Sequence, residues 1–229
     1  MAIVDHSALA VRYATVKASL PDHITLVAVS KTRSVEEIQA LYDLGHRDFG
    51  ENYPQELREK VPLLPPDIRW HFIGHLQRSN VKHVLPVCHL IHGVDSPKLM
   101  DEMEKRAKAL QRNVSILLQV HIGQETTKHG FTEEELKQFT FGSPDPIERW
   151  PHCTIRGLMG MATNTSDPDQ IAREFRNLND WHQAIRTHGP FPLEQFTVLS
   201  IGMSSDVDIA VKAGTTMVRI GTAIFGERA

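Results

Sequence analysis

Apolar positions along the chain follow two alternating rhythms. Short runs of β-branched and apolar residues, such as Leu26-Val27-Ala28-Val29, give way to stretches where apolar residues recur every three or four positions. The first rhythm predicts buried strands, the second amphipathic helices. Residues 4–20 predict a helix with Leu9, Tyr13, Val16 and Leu20 on one face, stopped by Pro21. Strand one is predicted over 24–30. Ser34 with Glu37 has the capping-box spacing, with Val35, Ile38 and Leu41 behind it and Gly45 after it. A short strand then ends at Phe49-Gly50-Glu51-Asn52, and 53–60 predicts a brief helix. Strand three is predicted over 68–73 and strand four over 87–92. A helix from Pro97 follows, with Met100, Met103, Ala107 and Leu110 inward.

Strand five is predicted over 114–122; its Ile116-Leu117-Leu118 lacks alternation, as in a strand buried on both faces. Thr132 with Glu135 repeats the capping-box spacing before Leu136 and Phe139. The proline-rich stretch 142–151 reads as a loop. Strand six is predicted over 154–159. A long helix from Pro168 carries Ile171, Phe175, Leu178, Trp181 and Ile185 into the core. Strand seven is predicted over 196–200, a helix over 206–213, and strand eight over 217–220. Eight strands separated mostly by helices, after one leading helix, predict a parallel sheet with helical crossovers. The fold class is α/β, a (β/α)8 TIM-type barrel with an extra N-terminal helix; an open doubly wound sheet is the rival. No linker divides residues 1–229, so a single domain is expected.

Composition narrows the function. The 229 residues carry 25 basic and 28 acidic side chains, a formal charge of −3. That lacks the basic excess of a nucleic-acid binder. No run of 18 apolar residues and no leader pattern is present, so the expectation is a cytoplasmic protein without membrane contact. Cys88 and Cys153 match neither a disulfide framework nor a metal motif and read as buried thiols.

The chemistry concentrates where strands should end. Thr197-Val198-Leu199-Ser200-Ile201-Gly202-Met203-Ser204-Ser205-Asp206 and Thr216-Met217-Val218-Arg219-Ile220-Gly221-Thr222 are both strand-like runs entering small-residue turns. Successive free N–H groups in such turns make an anion nest. Together they suggest two walls of one phosphate cup. Leu26-Val27-Ala28-Val29-Ser30-Lys31 places a lysine at a strand end, where desolvation would favour a nucleophilic amine; the alternative is a lysine reaching into water. Arg219 lies within a buried strand and must be paired or face a ligand; an internal salt bridge is the alternative. His71 and His75 stand four apart, with no third ligand at metal spacing, so no metal site is expected.

Several segments carry a family resemblance: Ala28-Val29-Ser30-Lys31-Thr32, Phe49-Gly50-Glu51-Asn52-Tyr53, Trp70-His71-Phe72-Ile73-Gly74-His75-Leu76-Gln77, Gly157-Leu158-Met159, Gly202-Met203-Ser204 with Asp206, and Val218-Arg219-Ile220-Gly221 running to Phe225-Gly226. In this order the chain resembles the YggS-like pyridoxal phosphate homeostasis proteins, which resemble the barrel domain of bacterial alanine racemase. The resemblance implies pyridoxal 5'-phosphate held as an aldimine on Lys31, with Arg219 facing the pyridine nitrogen. Ser200, Ser204, Gly221 and Thr222 would bind the phosphate with Met203 beside them, and Asn52 and His75 would line the ring pocket. The family usually has Asn at His121, Ser at Gly93, and Ser-Asn-Lys where this chain reads Ser79-Asn80-Val81 and Lys82.

The implied role is a monomeric carrier or regulator of the cofactor that passes it to acceptor apoenzymes without catalytic turnover. The alternative is a pyridoxal-phosphate-dependent amino-acid racemase, which needs an acid/base on each face of the substrate. In the resembled racemases a tyrosine from a second domain serves one face. Here no second domain is expected, Tyr13 and Tyr42 fall on predicted helices, and Tyr53 alone reaches the rim.

Overall fold

A computed structural model of the chain describes residues 5–125, 129–142 and 145–227. Eight parallel strands close on themselves in sequence order. They are β1 (Thr25–Val29), β2 (Asp48–Glu51), β3 (Arg69–Phe72), β4 (Leu90–Val94), β5 (Val114–Val120), β6 (Cys153–Gly160), β7 (Val198–Ser200) and β8 (Met217–Ile220). The closing seam pairs Thr25 with Met217 through Ala28 with Ile220. The helices are α1 (His6–Ser19), α2 (Val35–Asp43), α3 (Pro54–Lys60), α4 (Val81–Val84), α5 (Pro97–Ala109), α6 (Glu133–Phe141), α7 (Pro146–Arg149), α8 (Pro168–His188), α9 (Val207–Lys212) and α10 (Thr222–Phe225).

Two apolar layers result. A small inner cluster of Val27, Leu90, Leu117, Met159 and Met217 fills part of the barrel lumen. A large outer layer lies between sheet and helices, where Ile38, Leu41, Leu99, Met103 and Leu178 are buried. Both capping boxes form: Ser34 with Glu37 opens α2, and Thr132 with Glu135 opens α6. Both cysteines are buried, and burial pushes the Cys88 thiol well up and that of Cys153 up to about 12.

Several sequence expectations need correction. Strand four begins at Leu90, not Val87, because helical turns continue past α4 through Leu85 and Cys88. The apolar residues Val84 and Leu85 serve the outer layer instead. Strand five ends at Val120, where His121 turns to pair its N–H with Phe131. The stretch 142–151 is not all loop: Asp145 accepts from the Ile147 N–H and starts α7 at Pro146. Leu110 is exposed, since it caps the end of α5 beyond the sheet. On α8 the fully inward position belongs to His182, and Trp181 is only partly buried beside it.

Candidate functional site

Lys31 lies two residues beyond the end of β1, and its neighbours are clamped on both sides. Ser30 Oγ donates to Glu51 Oε1 at 2.7 Å, and Lys60 Nζ donates to Ser30 O at 2.8 Å and to Glu51 Oε1 at 2.7 Å. On the other side the Thr32 N–H donates to Glu56 Oε2 at 2.7 Å, and Lys60 also pairs with Glu56. Thr32 sits at φ 61°, a left-handed conformation that β-branched residues avoid unless held. Burial pushes the Glu51 carboxyl up to about 7, against the opposing pull of Lys60. This polar block fixes the direction in which the chain leaves β1.

The two turns after β7 and β8 approach the same place. Gly202 sits at φ 97°, and a Cβ there would lie 2.6 Å from Ala210 Cβ, so the turn accepts only glycine. Asp206 Oδ1 takes the Met203 N–H at 2.5 Å and tightens the turn. Among the described residues, no acceptor is bonded to the N–H groups of Ser204, Ser205 and Thr222. Lys31, Met203, Ser204, Arg219, Gly221 and Thr222 line one cavity of about 330 Å3. That lies within the usual range of small-molecule sites, about 300–1,000 Å3. Arg33 and Ser205 also line it and escaped the sequence reading, Arg33 because it lies beyond the strand. A cavity of 490 Å3 between α5 and α6 is larger but is lined by Ser96, Phe139 and Trp150, with no lysine.

Arg219 is buried and held by three acceptors. Nη1 donates to Ser200 O at 2.7 Å and Ser200 Oγ at 2.5 Å, and Nη2 donates to Gly160 O at 3.0 Å. Burial lowers it to about 10, so it stays cationic at neutral pH. From Ser200 a hydrogen-bonded chain runs down the barrel lumen. Ser200 Oγ meets His92 Nδ1 at 3.2 Å, His92 Nε2 meets His71 Nδ1 at 3.0 Å, and His71 Nε2 meets Asp48 Oδ1 at 3.1 Å. Asp48 also accepts from Arg69 Nε at 2.7 Å. Burial drives His92 far below the usual imidazole range. With neutral rings, one assignment is consistent. Arg219 donates to Ser200, Ser200 to His92 Nδ1, His92 Nε2–H to His71, and His71 Nε2–H to the Asp48 carboxylate. Burial would raise Asp48, but the His71 and Arg69 hydrogen bonds hold it well below the carboxylate range.

Three expected site residues do not line the cavity. Ser200 is fully buried and its hydroxyl joins Arg219 to His92, so it serves the arginine rather than an anion. Asn52 follows β2, with Oδ1 buried and without a hydrogen-bond partner. His75 pairs with Asp95 at 3.2 Å and stacks on His129 at 3.7 Å. The lumen chain was illegible in sequence because Asp48, His71, His92 and Ser200 belong to four different strands. Only alternation within each strand hinted that they share the interior.

Residues 4–229 match the family model of the alanine racemase N-terminal domain. The pyridoxal phosphate homeostasis protein of Vibrio alginolyticus is 37% identical over 98% of this chain and 96% of its own length. The chain belongs to the pyridoxal phosphate homeostasis family. A solved structure of another such barrel, PipY of Synechococcus elongatus, is 31% identical and superposes with a TM-score of 0.88 over 95% of this chain and 100% of that one. The form of PipY with pyridoxal phosphate bound gives 0.85. Alanine racemase of Bartonella henselae shares the fold at 16% identity and a TM-score of 0.73, with 98% of this chain covering 60% of that enzyme. The homeostasis family and the racemase thus share a barrel, and the racemase likeness speaks for the fold alone.

Proposed function

We propose that this chain binds pyridoxal 5'-phosphate covalently through Lys31 and acts as an intracellular carrier or regulator of that cofactor, without catalytic turnover. One observation carries the reading: Lys31, Arg219 and the acceptor-free N–H groups of Ser204, Ser205 and Thr222 line a single cavity. An amine, a cation and an anion nest are the three things a phosphorylated pyridine aldehyde requires. Asn52 Oδ1 adds a buried acceptor in need of a donor. The cofactor, when bound, supplies an electrophilic aldehyde and an electron-withdrawing ring.

Each residue then has a role. Lys31 would hold the cofactor through its Nζ, the amine that an aldehyde takes up with loss of one water. The clamps on Ser30 and Thr32 set the direction of approach. Ser204, Ser205, Gly221 and Thr222 hold the phosphate, with Met203 against it. Arg219 carries only donors, so it donates to the ring nitrogen and keeps it unprotonated. That weakens the ring as an electron sink and fits storage better than decarboxylation or transamination. PipY, with its pyridoxal phosphate, supports the same use of this barrel.

A racemase reading needs a second acid/base. Tyr13 lies at the opposite end of the barrel, where it meets His46, and Tyr42 Oη donates to Asp67. Tyr53 is exposed after Asn52 and remains the one tyrosine near the rim. Among the described residues, no helix is long and apolar enough to cross a membrane. We place the protein in the cytoplasm as a monomer, delivering the cofactor to acceptor apoenzymes. The deciding assay follows α-deuterium exchange into each enantiomer of alanine and serine, beside cofactor transfer to an apoenzyme. Transfer without exchange is expected. Sustained exchange that is lost in Lys31→Ala would establish the racemase instead.

A further inference from the structure

At the rim of the barrel, three side chains from neighbouring strand ends converge. His75 follows Gly74 beyond β3, Asp95 immediately follows β4, and His129 lies on the segment that returns after β5. One ligand atom from each lies within 4.8 Å of the other two. His75 Nδ1 is 3.2 Å from Asp95 Oδ2, and the imidazoles of His75 and His129 stack at 3.7 Å and 14°. Around a zinc-sized ion with bonds of about 2.0–2.1 Å, tetrahedral ligands stand roughly 3.3 Å apart. The three ligand atoms are within 4.8 Å of one another, and one ion would draw them to the tetrahedral spacing once the His75 and His129 rings turn out of their stack.

The supports are already built. A Cβ on Gly74 would meet Asn52 O at 2.2 Å, and one on Gly93 would meet Gly74 O at 2.3 Å. Glycine at both positions lets the ends of β2, β3 and β4 touch, which fixes where His75 and Asp95 start. Ser96 Oγ donates to Asp95 Oδ1 at 3.1 Å and leaves Oδ2 turned toward His75. Such a partner orients a ligating carboxylate. Gln119 Nε2 holds the His129 carbonyl at 2.8 Å, and Phe131 exchanges backbone bonds with Gln119 and His121.

The geometry points to a binding site for one divalent transition-metal ion, formed by His75, Asp95 and His129. Two imidazole nitrogens and one carboxylate oxygen suit zinc, cobalt or nickel; magnesium and calcium prefer all-oxygen sets. Three protein ligands leave at least one position open to water, and His75 is exposed enough for an ion to enter. The ligands are far apart in sequence, so no spacing motif announces them.

The test uses metal-free full-length protein without pyridoxal phosphate, so its outcome is independent of the cofactor reading. Zn2+ is titrated calorimetrically, and Co2+ by its visible absorption. One saturable equivalent is expected, with a Co2+ spectrum of low coordination number. His129→Ala and Asp95→Asn should each weaken it at least about tenfold, while His83→Ala, at a half-buried position on α4 outside the cluster, leaves it unchanged. Excess Mg2+ should not compete. Thermal unfolding without metal confirms that each variant is folded, and exposed His129 is the safer of the two. No saturable binding, or affinity unchanged in both His129→Ala and Asp95→Asn, would overturn the site.

Discussion

The two ends of the barrel hold cavities of the same size and opposite character. The one at the C-terminal strand ends, beside Lys31, and the one at the N-terminal ends, beside Tyr13, His46, Asp48 and Arg69, are each about 330 Å3. Volume does not tell them apart; the saturation of their polar groups does. At the N-terminal end His46 is bonded to Tyr13 and to Asp48 O, and Asp48 to Arg69 and His71. At the C-terminal end three turn N–H groups have no acceptor among the described residues. A pocket whose polar groups are already bonded serves stability; one whose donors await an acceptor serves binding. Changes at the first end should move stability alone, and changes at the second should move affinity alone.

The largest effect is expected from the ligand side. Pyridoxal, lacking the phosphate, should bind at least about 100-fold more weakly than pyridoxal phosphate, since hydrogen bonds to a charged group contribute about 1.5–3 kcal/mol each. Fluorescence titration measures both. Equal affinities would mean that the turns hold something else. Next, Asp48→Ala should lower unfolding stability by roughly 2 kcal/mol, because Arg69 and His71 lose their shared carboxylate. It also removes the end of the lumen chain. Nitrogen NMR should find both His71 and His92 as Nε2–H tautomers in the unaltered protein. A proton on Nδ1 of His92 would contradict the direction of the chain.

A smaller effect comes from pH. Burial lowers His46 and His182 to about 4 and His92 further, whereas the unfolded chain takes protons near 6.5. Below about 6.5 the unfolded state therefore binds more protons, and stability should fall as pH drops toward 4. Glu51 acts in the reverse sense. Its folded value near 7 contributes stability below about 4.5 that is lost as pH rises through 7. Denaturant midpoints across pH 4–7.5 should fall toward acid, and less steeply in His182→Phe, whose imidazole nitrogens have no partner. The smallest effect belongs to Lys17→Gln at the N-terminal cavity, which should leave cofactor affinity within about twofold; a larger change would end the division of roles between the two ends.

What the sequence could reveal follows the same division. Lys31, Gly221 and Thr222 were legible as lining of one cavity because each lies within two residues of a strand end, and Ser204 because it sits in the glycine turn after β7. Both capping boxes were legible for the same local reason. The lumen chain and the His75–Asp95–His129 cluster were not, because barrel closure brings their members together from separate strands. Ser200 shows the limit most clearly. The family resemblance implied a phosphate ligand there, but the strand pleat turns its hydroxyl inward to Arg219.

The central claim is that the C-terminal cavity holds pyridoxal phosphate on Lys31. The most direct measurement incubates the purified chain with the cofactor, reduces it with borohydride, and maps the modified peptide by mass spectrometry. A single phosphopyridoxyl group on Lys31, absent from Lys31→Ala, is the expected result. Modification spread over surface lysines such as Lys17 and Lys98, or none on Lys31, would contradict the account.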